Sequence, residues 1–137
     1  MRVLAVDPGE KRLGIAISDP SGTIANPLSV LKHLSRSLDA ASIAQIAEEN
    51  QVGQIVVGQA LDTEDQPTLQ SRRAAHLAEA IRQQTNLPVV LWDETGSTQA
   101  ARAARLAMGV SRRKRRGHLD DLAATYILQT YLDSQSK

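Results

Sequence analysis

Residues 2–18 read RVLAVDPGEKRLGIAIS, and the reading of this stretch decides the fold. Arg2–Val6 and Leu13–Ser18 are short apolar runs. Asp7-Pro8-Gly9 ends the first, and Asp19-Pro20-Ser21-Gly22 ends the second. Apolar runs bounded by turn residues predict strands. A link this short predicts an antiparallel pair. The weaker run 23–30 extends it to a three-strand meander. One carboxylate, Asp7, stands where the first strand is expected to end. Asp-Pro-Gly is a good turn sequence in its own right, so a turn role is the plain explanation to set beside any chemical one.

Working outward, a helix is expected over 37–50, with Leu38, Ile43, Ile46 and Ala47 inward and Glu48 and Glu49 outward. QIVVG (54–58) is apolar throughout and reads as a strand buried on both faces. A polar loop (60–70) leads into a helix over 68–85, with Leu69, Ala74, Leu77, Ala78 and Ile81 at helical spacing. LPVVLW (87–92) is the fifth strand. Ser97 and Thr98 are candidate caps of a helix ending at Gly109. The basic segment 111–117 breaks the pattern, and a last helix is expected over 119–132, opened by Asp120 and Asp121. Strands separated by helices imply parallel neighbours and right-handed crossovers. The reading is therefore α/β: a five-stranded mixed sheet flanked by helices, with one domain over residues 1–137.

Composition narrows the function classes. The chain has no cysteine, which excludes disulfides and thiolate chemistry. No apolar stretch approaches the ~20 residues of a membrane span, and the start does not read as a signal peptide. The expectation is a cytoplasmic protein with no membrane partner. Residues 95–119 hold seven Lys/Arg and no Asp/Glu, so the rest of a chain of net charge +1 is acidic. A basic block on an acidic chain points to a polyanion. With Trp92, Tyr126, Tyr131 and no Phe, base stacking is not expected to be the main binding device.

Asp7, Glu94 and Asp120 or Asp121 stand at the ends of three expected core elements. If strands one, four and five are parallel neighbours, Asp7 and Glu94 leave the sheet at one carboxyl edge, where open α/β sheets place their sites. Clustered carboxylates repel unless a cation neutralises them. All-oxygen ligation suits Mg²⁺ or Mn²⁺. Two such ions, about 3.5–4 Å apart, serve phosphodiester hydrolysis. Each residue also has a plain explanation: Glu94 as a solvated loop residue, Asp120 and Asp121 as first-turn acids on a helix dipole. The helical stripe of Leu119, Leu122, Ala123, Tyr126 and Ile127 lies only slightly nearer Asp120 than Asp121.

VDPGEKRLGIAISD at the start, IVVGQALD in the middle, WDETGSTQAA later and RRGHLDDLAATYIL at the end resemble the YqgF (RuvX) family, over nearly the whole chain. The first and last motifs are fairly specific in combination. The resemblance implies a ribonuclease H-like fold with strand order 3-2-1-4-5. It implies a metal-dependent endonuclease acting on structured nucleic acid, with the 5′ end of pre-16S rRNA favoured in ribosome biogenesis and a four-way DNA junction as the alternative. A non-catalytic ribosome-assembly factor is a further alternative. The family's acidic triad maps onto Asp7, Glu94 and Asp120, which would be both catalytic and metal-binding, with two Mg²⁺ or Mn²⁺ ions. Its flexible basic loop maps onto Arg112, Arg113, Lys114, Arg115 and Arg116. Lys11 and Arg12 on the hairpin are further nucleic-acid candidates. The family usually has Arg after Asp-Glu; here Thr95 follows Glu94. The resolvase alternative calls for a homodimer, the others allow a monomer. The first motif also resembles an actin-like phosphate loop, but those phosphotransferases enclose a nucleotide between two such domains.

Overall fold

The structure is a computed structural model. It describes residues 1–59, 68–93 and 112–135, with side chains from Leu122 onward in the last segment. The strands are β1 (Arg2–Pro8), β2 (Arg12–Ser18), β3 (Ala25–Lys32), β4 (Val52–Gln59) and β5 (Val89–Asp93), and the helices are α1 (Arg36–Glu49), α2 (Leu69–Arg82) and α3 (Arg112–Gln135). The five strands form one sheet in the order β3-β2-β1-β4-β5. β1 pairs antiparallel with β2 and parallel with β4, and β4 is parallel to β5. The mixed sheet and its strand order agree with the sequence. The expected helix ending at Gly109 lies outside the described residues.

Alternation along β1 sorts the core into two layers. Leu4 and Val6 join Leu13, Ile15, Ile55 and Val57 under α1 and α2, where Ile43, Leu77, Ala78 and Ile81 cover them. Val3 and Ala5 face the other way, toward Ala124, Ile127, Leu128, Tyr131 and Leu132 of α3. Both faces of β4 are covered, as its unbroken apolar run implied.

Four expectations are corrected. Asp7 lies inside β1, not beyond it. Its main chain continues the ladder opposite Gly14, so the turn begins later, at Gly9. The final helix begins at Arg112, not at Leu119. The basic segment is helical, Arg and Lys being good helix formers, and Gly117 costs only about 1 kcal/mol relative to Ala. Asp120 therefore lies well inside α3 rather than in its first turn. Leu38 and Leu69 were expected inward, but both are exposed. Each sits in the first turn after its cap, Ser35 or Thr68, before the helix reaches the sheet. In place of Leu38, α1 buries Asp39, whose carboxylate binds His33 Nδ1 and accepts from Leu34 N at 3.1 Å.

The third strand starts and ends two residues later than its apolar run. Ile15 pairs with Ser29 but Ala16 with Pro27, leaving Leu28 as the extra residue of a bulge. An edge strand tolerates both the bulge and the proline that cannot donate.

Candidate functional site at the carboxyl edge of the sheet

Asp7 is half-buried between Val6 and Pro8, which are buried. Because side chains alternate along a strand, Asp7 falls on the face of Val3 and Ala5, the α3 side. Gly14 is its partner across the hairpin and places no side chain beside the carboxylate on that face. The parallel register brings neighbouring strand ends to the same edge. Val6 pairs with Val57, and Val57 with Leu91. Asp7, one residue further, is thus level with Gly58 where it faces Trp92, and one residue short of the level at which Gln59 faces Asp93. Glu94 follows Asp93 in the chain but lies outside the described residues.

Helix α3 is fixed against this edge by polar contacts as well as packing. Trp92 Nε1 donates to Thr130 Oγ1 (3.0 Å), and that hydroxyl donates to Ile127 O (2.8 Å). Trp92 meets Tyr131 edge-on, with ring centroids 5.3 Å apart. Gln54 Nε2 donates to the Tyr131 hydroxyl (2.9 Å). On the far side, Gln129 accepts from Ala25 N (2.9 Å) and donates to Thr23 O (3.0 Å). At Gly58 helix and strand approach closely: a Cβ there would stand 2.5 Å from Ile127 Cδ1. Since Ile127 lies over Gly58 and Tyr131 over Gln54, α3 runs opposite to β4. Its N-terminal half is directed toward the carboxyl edge.

Of the proposed triad, then, the structure places the Asp7 side chain, places only the backbone of Asp120, and leaves Glu94 undescribed. Among the described residues no three His, Asp or Glu side chains cluster as metal ligands do. The backbone of Arg112 to Arg116 is the first turn and a half of α3.

Lys11 and Arg12 are exposed on the β1–β2 hairpin, as expected. The turn is tight: Gly9 N donates to Arg12 O at 3.0 Å, and a Cβ on Gly9 would lie 2.5 Å from that oxygen. Only glycine fits there. Arg12 pairs with Lys32 across the β2–β3 ladder, and Lys11 O accepts from His33 N at 2.9 Å. Lys32 and His33 thus join the basic hairpin. Sequence reading missed them because the end of β3 carried no strong pattern.

A model of the family described as RuvX, Holliday junction resolvase, matches residues 1–134. A protein of Thermoanaerobacter pseudethanolicus named "Putative pre-16S rRNA nuclease" is 40% identical over 136 residues, covering 98% of each chain. A protein of the same name from Clostridium botulinum strain Hall is 38% identical over the whole of both chains. Among solved structures, T. thermophilus RuvC in complex with Holliday junction substrate gives a TM-score of 0.61 at 16% identity, covering 99% of this chain and 96% of that one. The fowlpox virus resolvase bound to Holliday junction DNA gives 0.62 at 15% identity over the whole of both. At these identities the two structures speak for the fold alone, which is ribonuclease H-like.

Proposed function

The chain belongs to the RuvX family, and on that premise we propose that it is a metal-dependent endonuclease whose favoured substrate is the 5′ end of pre-16S rRNA. Membership makes it a nuclease, a hydrolase acting on ester bonds. The observation that carries the site is the placement of Asp7: a half-buried carboxylate on the α3 side of β1, level with the ends of β4 and β5. The resemblance assigns the late carboxylate to Asp120 rather than Asp121.

Asp7, Glu94 and Asp120 are all hard oxygen donors, a set that fits Mg²⁺ or Mn²⁺. Bound there, a pair of such ions supplies an activated water and neutralises charge on the leaving oxygen. The chain's own part is positional. Pairing with Gly14 of β2 holds the Asp7 main chain in the ladder, so its carboxylate does not reorganise when substrate arrives. The Trp92–Thr130 and Gln54–Tyr131 contacts fix α3, and with it position 120, against the sheet. Arg112 to Arg116, with Lys11 and Arg12, hold the phosphate backbone. In the reaction, water adds to phosphorus, the P–O3′ bond breaks, and the proton passes to the freed 3′ oxygen.

The family description supports a second reading, resolution of four-way DNA junctions. The two readings separate on substrate. Incubation with Mn²⁺ or Mg²⁺ and either a pre-16S rRNA 5′-leader fragment or a four-way DNA junction is expected to cut the RNA. Cutting of the junction alone would replace the rRNA reading with the resolvase.

A further inference from the structure

A pocket of about 190 Å³ opens on the opposite side of the sheet from Asp7. The turn at Pro8 and Gly9 forms one lip. Leu13 and Leu77 form the floor, and His33, Arg36, Asp39 and Arg73 the walls. Arg36 and Arg73 bring two guanidinium groups to it, beside the Asp39 carboxylate. The Asp39 carboxylate is buried and engaged by His33 Nδ1 and by Leu34 N. It braces the β3–α1 junction, and among the described residues no ion pair joins it to either arginine. Among the described residues, Arg36 makes no ion pair or side-chain hydrogen bond. Among the described residues Arg73 has only Glu10, whose exposed Oε1 lies 3.9 Å away. Two guanidinium groups therefore border a concave space with no carboxylate hydrogen-bonded to either among the described residues. Such groups donate in a fork that matches a phosphate and accept nothing.

Size and place narrow the ligand. The volume is below that of pockets that enclose drug-sized molecules, about 300 Å³ and upward, but it admits one tetrahedral anion. Pro8 and Gly9 directly follow Asp7, so the pocket and the Asp7 carboxylate lie on either side of one strand end. His33 also lines the adjoining shallow groove with Lys11, Arg12 and Lys32. Basic groups thus extend from the hairpin tip toward the pocket, with Glu10 the one acid lining that groove among the described residues.

We propose that the pocket walled by His33, Arg36 and Arg73 is an anion subsite that seats one backbone phosphate of the nucleic acid, away from the phosphate being cut. The proposal rests on the nuclease reading. It makes Arg36 and Arg73 positioning residues that set where the strand crosses the sheet edge.

The test uses the full chain without divalent ions, so that nothing is cut. Binding of a labelled pre-16S rRNA leader and of a four-way DNA junction is followed by anisotropy over a salt series, for wild type, Arg36→Gln/Arg73→Gln and Arg36→Lys/Arg73→Lys. Each neutralised phosphate contributes about −0.9 to the slope of log K against log salt on a duplex. The glutamine pair is expected to bind roughly tenfold more weakly at ~0.1 M salt, with the slope shallower by about 1. The lysine pair is expected to keep the slope. Both arginines are on helix surfaces, and circular dichroism verifies that the variants fold. Wild-type affinity and slope in the glutamine pair would overturn the proposal while leaving the nuclease reading standing. Failure of wild type to bind either nucleic acid would instead sink the nuclease reading. Inorganic phosphate is titrated separately, with the His33 ring signals as readout. Phosphate binding at His33 together with unchanged nucleic-acid binding in the glutamine pair would mark a site for a free anion and overturn the backbone assignment.

Discussion

Substituting Gly58 by Ala tests how the sheet holds the helix that carries Asp120. The added Cβ would lie 2.5 Å from Ile127 Cδ1, 3.2 Å from Cγ2 and 3.3 Å from Cγ1. Carbon atoms pack at about 3.5–4.0 Å, so strand and helix must separate by about 1 Å. Ile127 cannot easily swing aside, being 1% exposed and stiff at χ1. Overpacking of this kind costs about 1–3 kcal/mol, and the gain from removing a strand glycine returns about 0.5–1 kcal/mol. A net loss of about 1–2 kcal/mol corresponds to a melting temperature lower by roughly 4–8 °C for a domain of this size. A ~1 Å displacement of α3 is also expected to slow cleavage by up to about 100-fold. The assay is a double-mutant cycle. Ile127→Val removes Cδ1 and alone costs about 0.5–1.5 kcal/mol. Combined with Gly58→Ala it should recover about 1 kcal/mol relative to the sum of the single changes. Strict additivity, or a Gly58→Ala protein melting with wild type, would refute the close-approach argument.

Other consequences follow from single contacts. Ser18 is buried, and its Oγ accepts from Val3 N at 2.8 Å. Ser18→Ala strands that N–H and is expected to cost about 1–3 kcal/mol in urea unfolding. Asp19 accepts from Ile24 N, the Ser21 hydroxyl and Thr23 N, which hold its carboxyl well below the usual range. A depressed native value gives stability that is present above the unfolded value of about 3.9 and lost as pH falls below it. The stability of wild type should therefore fall more steeply below about pH 4 than that of Asp19→Asn; parallel acid limbs would contradict the assignment.

Much of the sheet was legible because its strands are short apolar runs between turn residues, and β4 announced its burial by having no polar face. The helices were harder at their first turns. Leu38 and Leu69 fit an apolar stripe by spacing, yet a capped first turn projects past the core. Nothing in the local sequence marks Asp39, one residue from Leu38, as buried. Its burial depends on His33 arriving from the end of β3, a pairing that no local pattern encodes. Asp7 was recognisable as a candidate because a charge interrupts an apolar run. Its being within the ladder follows only from the pairing with Gly14. The basic run 112–116 looked like a break because charge hid its helical propensity. Arg36 and Arg73 escaped notice for a related reason. Each is an ordinary surface arginine of its own helix, and only the packing of α1 beside α2 brings both to one pocket.

The central claim is that the Asp7 carboxylate does chemistry rather than shaping a turn. The direct measurement compares wild type and Asp7→Asn for cleavage of a pre-16S rRNA leader with Mn²⁺ or Mg²⁺, alongside binding of the same RNA and the melting temperature of each protein. The account predicts that cleavage is abolished while folding and most of the binding persist. Cleavage retained in the folded Asp7→Asn protein would contradict it.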